Sequence, residues 1–548
     1  MFRKQGSTGS PCEALVVWRA PGFWRKLGFR AGDFGRKLAS GAGKRWRGLV
    51  SHVGNFRRGV ANTGAAAREL AVSAPRNLGA LLLDVFRGLS RPATLGRVAI
   101  DMLILACVSL CLACFCAMKE GGMDLYMTSC LPFLGVLLVF VVVTESLRSS
   151  RVFLFTVCVL ILTGTALQTL LKLPAPANVT PSNTGLVLYA VVSVVFGLLA
   201  LPALTALVRA RDRNFSIHVL NVVVFLLYAA LLVFGRRVNG TRAWIYVGSM
   251  SFQLTEVTKF LTLVLFGLEF TNPDDTQEKR LRRGAFTLLM NAGFLLIVNE
   301  FGALCVILAG FVLTAFFYTP SVWRVFRTMF LLAALLAGML FGCLTCYNMR
   351  EASRERDPEA AIHPAVEQGA RIYAKFKLRA DIILHPESVD KNDGGFQSTR
   401  AKNAILLSSW LGSAYEVYIP VVESDYIFDY LLLRMGVVFG ILVLLLMLLL
   451  FLNAALSCLR NPDSTEGAVG VALAFSISFQ SILAAASAMG QFMTVGVPFA
   501  FLAYGGSSTL VNYTMVLYIL YAMRRASGCE TRRVSGTGGR RTVRRRTV

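Results

Sequence analysis

The chain has 548 residues, of which 55% are hydrophobic and 16% are charged, and its formal net charge is +25. So apolar a composition excludes a soluble protein of this length and is typical of a helical membrane protein with many spans. A spanning sheet is not predicted, because the apolar runs are unbroken rather than alternating with polar residues.

The positive charge is concentrated at the two ends of the chain. Residues 1–98 contain 18 Lys and Arg against four acidic residues, and residues 523–548 contain nine Arg against one Glu. Basic segments next to membrane spans are retained on the cytoplasmic side and attracted to anionic lipid. Nucleic-acid binding is the rival interpretation of these tails. No nucleic acid is expected, because no aromatic platform or groove-reading motif accompanies the arginines.

Twelve apolar runs are long enough to cross a bilayer. They are predicted at 99–117, 129–146, 152–172, 184–209, 217–235, 253–271, 283–298, 299–318, 326–343, 430–456, 467–490 and 500–522. An even number of spans places both termini on one side, and the Lys and Arg of the short connections favour the cytoplasm. The long connection at 344–429 is then external. The Arg236-Arg237 pair opposes this arrangement and suggests an anionic ligand at the outer end of its span.

The first block with chemical content is residues 239–259, N-G-T-R-A-W-I-Y-V-G-S-M-S-F-Q-L-T-E-V-T-K. Its Asn239-Gly240 pair predicts a turn. Glu256 and Lys259 follow in an apolar helix at spacing i, i+3, so they share a face and are predicted to pair beside a cavity. The alternative is a structural ion pair that meets no ligand.

Two further blocks lie later in the chain. In the long connection, residues 385–397 read H-P-E-S-V-D-K-N-D-G-G-F-Q, where Asp390 precedes a Gly-Gly pair that lets backbone approach a ligand closely. The third block, 490–508, is rich in glycine, so helix ends are predicted to break there and turn backbone donors toward a cavity. Tight helix packing through small residues is the alternative.

Together these blocks resemble the SEDS family of FtsW and RodA, the membrane glycosyltransferases of shape, elongation, division and sporulation. The family pattern N-G-A-R-R-W-I followed by Q-P-S-E-x-x-K resembles 239–259, and D-x-G-T is echoed at 300–303. Three later patterns, P-x-x-D-P-x-G-x-G-Y-Q after an Arg, L-P-E-x-x-T-D-F-I-F and P-F-x-S-Y-G-G-S-S, resemble segments around 379–397, 419–428 and 498–508. The resemblance covers about 150–522.

The resemblance implies a function. Such proteins polymerise lipid II, a disaccharide pentapeptide on undecaprenyl diphosphate, into peptidoglycan glycan strands, and undecaprenyl diphosphate leaves. An inverting transfer of this kind needs a base, and Asp390 is the residue expected to serve. A divalent cation, Mg²⁺ or Mn²⁺, is compatible with the diphosphate and a carboxylate. The residues expected to bind substrate are Arg242, Trp244, Glu256, Lys259, Arg379, Gln397, Asp425, Tyr504, Gly505, Gly506, Ser507 and Ser508.

The apolar runs predict an all-α polytopic protein of about twelve transmembrane helices. The resemblance implies a core of ten spans in the bacterial cytoplasmic membrane, so the first two spans are additions to that core. The expected parts are a basic arm at 1–98, two additional spans at 99–146, seven core spans at 147–343, an extracytoplasmic catalytic loop at 344–429, three core spans at 430–522 and a basic tail at 523–548. The partner that the resemblance implies is a class B penicillin-binding protein. A lipid II flippase or transporter, and an inactive scaffold for that partner, are the alternative functions.

Overall fold

The computed structural model describes residues 68–69 and 71–536, apart from gaps at 121–122, 173–183, 239, 248–249, 358, 360, 385–395, 416, 462–463 and 494–495. Within these residues the chain is mostly helical. The helices are α1 (71–89), α2 (Pro92–Glu120), α3 (Met123–Leu147), α4 (Arg151–Leu170), α5 (Thr184–Arg209), α6 (Arg213–Phe234), α7 (Leu254–Phe270), α8 (Gln277–Ile297), α9 (Phe301–Tyr318), α10 (Val322–Arg356), α11 (Pro364–Leu384), α12 (Phe396–Leu406), α13 (Ile427–Arg434), α14 (Val437–Cys458), α15 (Thr465–Ala488) and α16 (Gly506–Gly536).

Several helices begin at side chains that cap their free N–H groups. Ser150 accepts a hydrogen bond from Phe153 N at the start of α4, and Asp212 accepts one from Phe215 N at the start of α6. Ser464 does the same for Gly467 N at the start of α15. Caps of this kind satisfy donors that have no partner within the helix. They therefore fix where these spans begin.

Eight of the described helices are long and apolar enough to cross a membrane, namely α2, α4, α5, α6, α9, α10, α14 and α15. The other four predicted spans also fall on helices, α3, α7, α8 and α16. The protein is therefore an all-α polytopic membrane protein, as predicted, and the total of twelve spans stays a prediction.

Helices α4 and α15 form the centre of the bundle. In each of them 83% of the most apolar stretch is buried, against 6% for α10 at the periphery. Small residues allow the close approach of neighbours: a Cβ on Gly267 of α7 would lie 2.4 Å from the Val469 side chain of α15. Close packing through small residues is a principal means of association between membrane helices.

A small antiparallel sheet joins α6 to α7, and the sequence patterns did not predict it. Its strands are β1 (Arg236–Val238), β2 (Thr241–Val247) and β3 (Met250–Gln253), in that order. The predicted turn is confirmed at Gly240, whose φ is +74°, whereas Asn239 lies outside the described residues. Because β3 leads directly into α7, the sheet is set against the end of that helix.

The long connection contains more helix than an irregular loop would. Helix α10 continues past the predicted end of its span at residue 343 to Arg356, and α11 and α12 follow. Tyr373 of α11 lies against Tyr347 of α10, with ring centroids 5.4 Å apart, so these two helices pack as a pair.

The predicted span at 430–456 is interrupted by a sharp break. Helix α13 ends at Arg434 and α14 begins at Val437, with Gly436 between them at a φ of +100°. A Cβ on Gly436 would lie 2.4 Å from Trp410 O. Only glycine has this backbone freedom without steric cost, so the break depends on that residue.

Candidate active site

A cavity of about 340 Å³ opens where the sheet, the α8–α9 turn, the long connection and the segment before α16 meet. Its lining residues are Val238, Thr241, Trp244, Gln253, Glu300, Arg379, Gln397, Val421, Ser424, Asp425, Tyr426, Ala484, Ser487, Gly496, Val497, Pro498, Tyr504, Gly505, Gly506, Ser507 and Ser508. Polar and charged side chains from separate parts of the chain therefore converge on one space.

Most of the residues predicted to bind substrate line this cavity. They are Trp244, Arg379, Gln397, Asp425, Tyr504, Gly505, Gly506, Ser507 and Ser508. Three others, Arg242, Glu256 and Lys259, are not among the lining residues. The expected base, Asp390, lies outside the described residues. The helices on either side of it reach the cavity through Arg379 of α11 and Gln397 of α12.

Glu300 reaches the cavity because the turn between α8 and α9 is clamped to the sheet. Asn299 takes a φ of +61°, which Asn tolerates better than most residues. The side-chain amide of Asn299 donates to Gly240 O at 3.3 Å. Its backbone carbonyl accepts a hydrogen bond from the Thr241 hydroxyl at 3.4 Å. Arg242 N donates to Val298 O at 2.9 Å. These bonds hold the 93%-buried Glu300 at the edge of β2.

Arg379 supplies positive charge to the cavity. Its Nη1 is buried and has no hydrogen-bond partner among the described residues, and its guanidinium lies 5.8 Å from the ring centre of Phe301. Burial lowers the pKa of Arg379, while the nearby carboxylates of Glu300 and Asp425 raise it. A buried N–H without a partner is costly, so this donor suits an anionic ligand.

Asp425 faces Arg379 across the cavity. Its Oδ1 accepts a hydrogen bond from the Ser424 hydroxyl at 3.2 Å. Burial raises the pKa of Asp425, and the Ser424 bond and the charge of Arg379 oppose that effect. Gly496, at a φ of +62°, comes within reach of the carboxylate, since a Cβ there would lie 3.8 Å from Asp425 Oδ2.

The glycine-rich segment before α16 is fixed by hydrogen bonds from its neighbours. The Ser507 hydroxyl accepts from Gln253 N at 2.8 Å, and Tyr504 N donates to Glu423 O at 2.7 Å. A Cβ on Gly506 would lie 2.7 Å from the Tyr189 ring. The glycine here permits close packing, and the segment is open to the cavity at the same time. The packing interpretation of the third sequence block is therefore confirmed at Gly506, and the turning of backbone donors toward the cavity stays a prediction.

Glu256 and Lys259 form the predicted ion pair, and both are buried inside the bundle. Lys259 Nζ lies 2.8 Å from each carboxylate oxygen of Glu256 and 2.9 Å from Gln480 Oε1. Gln480 in turn donates to Asn512 Oδ1 at 3.0 Å. The pair connects α7 to α15 and α16 by hydrogen bonds. Its contacts are with protein, which is the arrangement that a structural ion pair would have.

The match to known proteins settles the family. The model of the FtsW, RodA and SpoVE cell cycle proteins matches residues 150–527, well over half of the chain. The chain belongs to the FtsW/RodA/SpoVE family.

Two curated relatives, each named as a probable peptidoglycan glycosyltransferase FtsW, come from Coxiella burnetii (strain RSA 493 / Nine Mile phase I) and Thioalkalivibrio sulfidiphilus (strain HL-EbGR7). The first is 26% identical over 309 residues, covering 55% of this chain and 76% of that protein. The second is 28% identical over 320 residues, covering 56% and 72%.

The chain is also similar to solved structures. A chain of a peptidoglycan synthase complex is 20% identical, with a TM-score of 0.49 over 69% of this chain and 98% of that one. The rod shape determining protein RodA of Thermus thermophilus is 19% identical, with a TM-score of 0.42 over 69% and 97%. Family membership and the apolar helices make the chain a multi-pass protein of the bacterial inner membrane.

Sequence reasoning missed Glu300 and Lys375 as residues of the site. Glu300 carried a signal, because it begins the segment that echoes the D-x-G-T pattern of the FtsW/RodA/SpoVE family. Lys375 carried none. It lies just behind the cavity, where its Nζ donates to the Thr241 hydroxyl and, at 3.0 Å, to Asn299 O. The pKa of Lys375 is lowered to about 8, mainly by burial and then by the charge of Arg379, while the charge of Glu300 opposes the shift.

Proposed function

We propose that this member of the FtsW/RodA/SpoVE family is an inverting peptidoglycan glycosyltransferase that polymerises lipid II into glycan strands. The observation that carries the proposal is the cavity, where a buried Arg379 donor without a hydrogen-bond partner among the described residues lies close to the carboxylates of Glu300 and Asp425. A site that transfers a sugar from a lipid diphosphate must neutralise a departing anion and hold hydroxyl groups. The names of the relatives agree with this activity.

The reaction assigns a role to Asp390. The 4-hydroxyl oxygen of the acceptor sugar attacks the anomeric carbon of the donor as its bond to the diphosphate oxygen breaks. The hydroxyl proton passes to Asp390, and the undecaprenyl diphosphate leaves with the bonding electrons. A carboxylate can accept that proton as a general base. Its flanking helices both contribute cavity residues, which supports this assignment.

The binding residues divide by chemistry. Arg379 is the residue for the diphosphate, since a guanidinium can contact phosphate oxygens in a bidentate manner. Trp244, Gln397 and the segment from Tyr504 to Ser508 offer an aromatic face, an amide and hydroxyl groups to the sugars. In this scheme Glu256 and Lys259 support the wall of the cavity from within the bundle and act on substrate indirectly.

A divalent cation fits the carboxylates of the cavity. The described residues contain no cluster of three or more His, Cys, Asp or Glu side chains that could hold a metal alone. Mg²⁺ is commonly bound by one or two carboxylates together with substrate phosphates, and Glu300 or Asp425 would supply such a ligand. When bound, the cation would neutralise charge on the diphosphate.

Topology and partners complete the proposal. The basic segments support cytoplasmic termini, and the cavity would then face the outside with the long connection. Anionic lipid is the proposed partner of the basic tails at 1–98 and 523–548. The family resemblance supports a class B penicillin-binding protein as the partner that crosslinks the new strands. Recovery of a stable complex after co-expression would test the latter.

Arg379 provides the test of the site. In a lipid II polymerisation assay with purified protein, Arg379→Gln is expected to lower kcat/KM by about 10²–10³, the usual effect of removing one donor to developing charge. Arg400→Gln is the matched control, because Arg400 is an exposed arginine of α12 that does not line the cavity. Equal activity of the two variants would contradict the proposed site. A protein that moves lipid II across a membrane without polymerising it would establish the flippase instead.

A further inference from the structure

A second cavity, of about 50 Å³, lies between α1, α5 and α16. Its charged and aromatic lining residues are Asp84 of α1, Arg209 of α5, and Tyr521, Arg524 and Arg525 of α16. A water molecule needs roughly 10–15 Å³ of such space. The cavity therefore has room for a few water molecules or for one phosphate group.

The second cavity lies at the opposite end of the bundle from the candidate active site. Helix α5 connects the two, because Tyr189 near its start packs against Gly506 and Arg209 at its end lines the second cavity. Tyr189 and Arg209 are 20 residues apart, a rise of about 30 Å, which is roughly the thickness of the apolar part of a bilayer. Arg524 is the second residue after the last predicted span, 500–522. These guanidinium groups therefore stand at the level of lipid headgroups, which belong to the inner leaflet on the proposed topology.

Three guanidinium groups meet around this cavity. Those of Arg209 and Arg525 lie 5.2 Å and 5.9 Å from the ring centre of Tyr521. Arg524 precedes Arg525 in α16 and lines the same cavity. The hydroxyl of Tyr521 is buried and has no hydrogen-bond partner among the described residues. An anion in the cavity would offer acceptors to these donors.

The nearby carboxylates leave donors available to a ligand. Arg524 Nη1 lies 2.8 Å from Asp84 Oδ2, and Arg209 Nε lies 3.0 Å from Glu466 Oε1. Each ion pair uses one nitrogen of a guanidinium group that carries five N–H donors. Three guanidinium groups against these two carboxylates also leave positive charge unbalanced. The site therefore suits an anion, and a guanidinium group matches phosphate oxygens in a bidentate manner.

An apolar surface leads away from the cavity along α5. Val195 and Leu199 are 51% and 63% exposed, and they stand seven and three residues before Pro202, which lines the cavity. Residues at these spacings lie on one side of a helix. Exposed apolar side chains of a spanning helix face lipid chains. A ligand with a phosphate at one end and acyl chains at the other therefore fits both parts of the site.

We propose that this cavity binds the phosphate of an anionic phospholipid, held by Arg209, Arg524 and Arg525, with its acyl chains along α5. Basic cavities between membrane helices at the cytoplasmic surface are a recognised form of headgroup site. The inference deepens the attraction of the basic tails to anionic lipid that is part of the proposed function, because it names one site and includes Arg209, which belongs to neither tail. It does not depend on glycosyl transfer. Since α1 forms one wall of the cavity, the bound lipid also holds α1 against the core.

Lipid titration followed by native mass spectrometry tests the site. The full-length protein in dodecyl maltoside is titrated with phosphatidylglycerol and, separately, with phosphatidylcholine of the same acyl chains. The unchanged protein is expected to bind its first phosphatidylglycerol at least ten-fold more tightly than phosphatidylcholine, and Arg209→Gln/Arg525→Gln is expected to lose that preference. Arg87→Gln/Arg91→Gln is the matched control. It removes the same charge from exposed arginines that do not line the cavity, and it is expected to retain the preference.

A second variant covers a failure of the first to fold. Arg209→Gln also removes the ion-pair partner of Glu466. Arg525→Gln/Tyr521→Phe leaves that ion pair intact, and the same loss of preference for phosphatidylglycerol is expected.

The outcomes separate one built site from general attraction by charge. Equal binding of the two lipids by the unchanged protein, retained preference in the cavity variants, or an equal loss in the control variant would overturn the proposal. Glycerol 1-phosphate distinguishes a lipid from a soluble phosphate compound. If it displaces phosphatidylglycerol at equal concentration, the cavity binds soluble phosphates and the lipid assignment is wrong. Because these measurements contain no lipid II, a failure of the protein to polymerise lipid II leaves them unaffected.

Discussion

The buried Glu256–Lys259 pair allows the sharpest test of how the bundle holds the cavity. Glu256 is 3% exposed and Lys259 is 1% exposed. The ammonium group uses all three of its donors, two on Glu256 and one on Gln480. Lys259→Met would leave a buried carboxylate without its counter-ion, at a cost of about 3–5 kcal/mol in the free energy of unfolding.

A double-mutant cycle isolates the interaction from the general effect of substitution. Glu256→Gln should lower the free energy of unfolding by a similar amount, because it leaves the Lys259 ammonium buried without a counter-charge. The combined Glu256→Gln/Lys259→Met protein should lose less free energy of unfolding than either single variant, since no isolated charge remains. Unfolding of the purified protein in mixed micelles of dodecyl maltoside and SDS, followed by tryptophan fluorescence, would give the four free energies.

The half-exposed Glu367–Arg371 pair of α11 serves as the matched control, with N–O distance 2.9 Å. Its cycle should give an interaction energy below about 1 kcal/mol, as surface pairs do. Should the effects at Glu256 and Lys259 prove additive to within about 0.5 kcal/mol, the two charges do not stabilise each other and the structural role assigned to them is refuted.

Three other predictions concern backbone, charge and topology. Gly436→Ala should lower the free energy of unfolding by about 2 kcal/mol or more in the same assay, because Ala must adopt a φ of +100° with its Cβ close to Trp410 O. An unchanged free energy of unfolding would show that the break does not need glycine. The pKa of Lys375 falls from 10.5 to about 8 on folding, so the unfolded chain holds this proton over a range where the folded chain has lost it. Stability should therefore rise with pH between about 8 and 10.5, and Lys375→Met should remove that rise relative to the unchanged protein. In a cysteine-depleted background, an impermeant thiol reagent should label Ser353→Cys in intact cells but not Ser535→Cys, and the reverse pattern would contradict cytoplasmic termini.

The sequence predicted the features that depend on local pattern. Apolar runs identified the spans, Gly240 identified the turn, and i, i+3 spacing identified the pair of Glu256 and Lys259. These follow from hydropathy and from helix geometry, which act over a few residues. The family resemblance then selected the residues that line the cavity, including Arg379 and Asp425, although they lie far apart in the chain.

Other features depend on contacts between distant segments, and the local pattern could not reveal them. The break at Gly436 depends on the backbone at Trp410, and the span there looked continuous because its apolar residues are. Lys375 became part of the site through the clamp that holds Asn299 to the sheet. Arg209 meets the Tyr521 ring because α5 packs against α16, which no local pattern indicates.

Polymerisation of lipid II by the purified protein tests the central claim most directly. With no other glycosyltransferase present, the unchanged protein should convert lipid II into glycan strands and release undecaprenyl diphosphate. Asp390→Asn should bind lipid II and insert into membranes normally, yet polymerise about 10²–10⁴-fold more slowly, as expected on loss of a general base. Asp393→Asn, three residues away, should remain active. Absence of strands from the unchanged protein, or full activity of Asp390→Asn, would contradict the account.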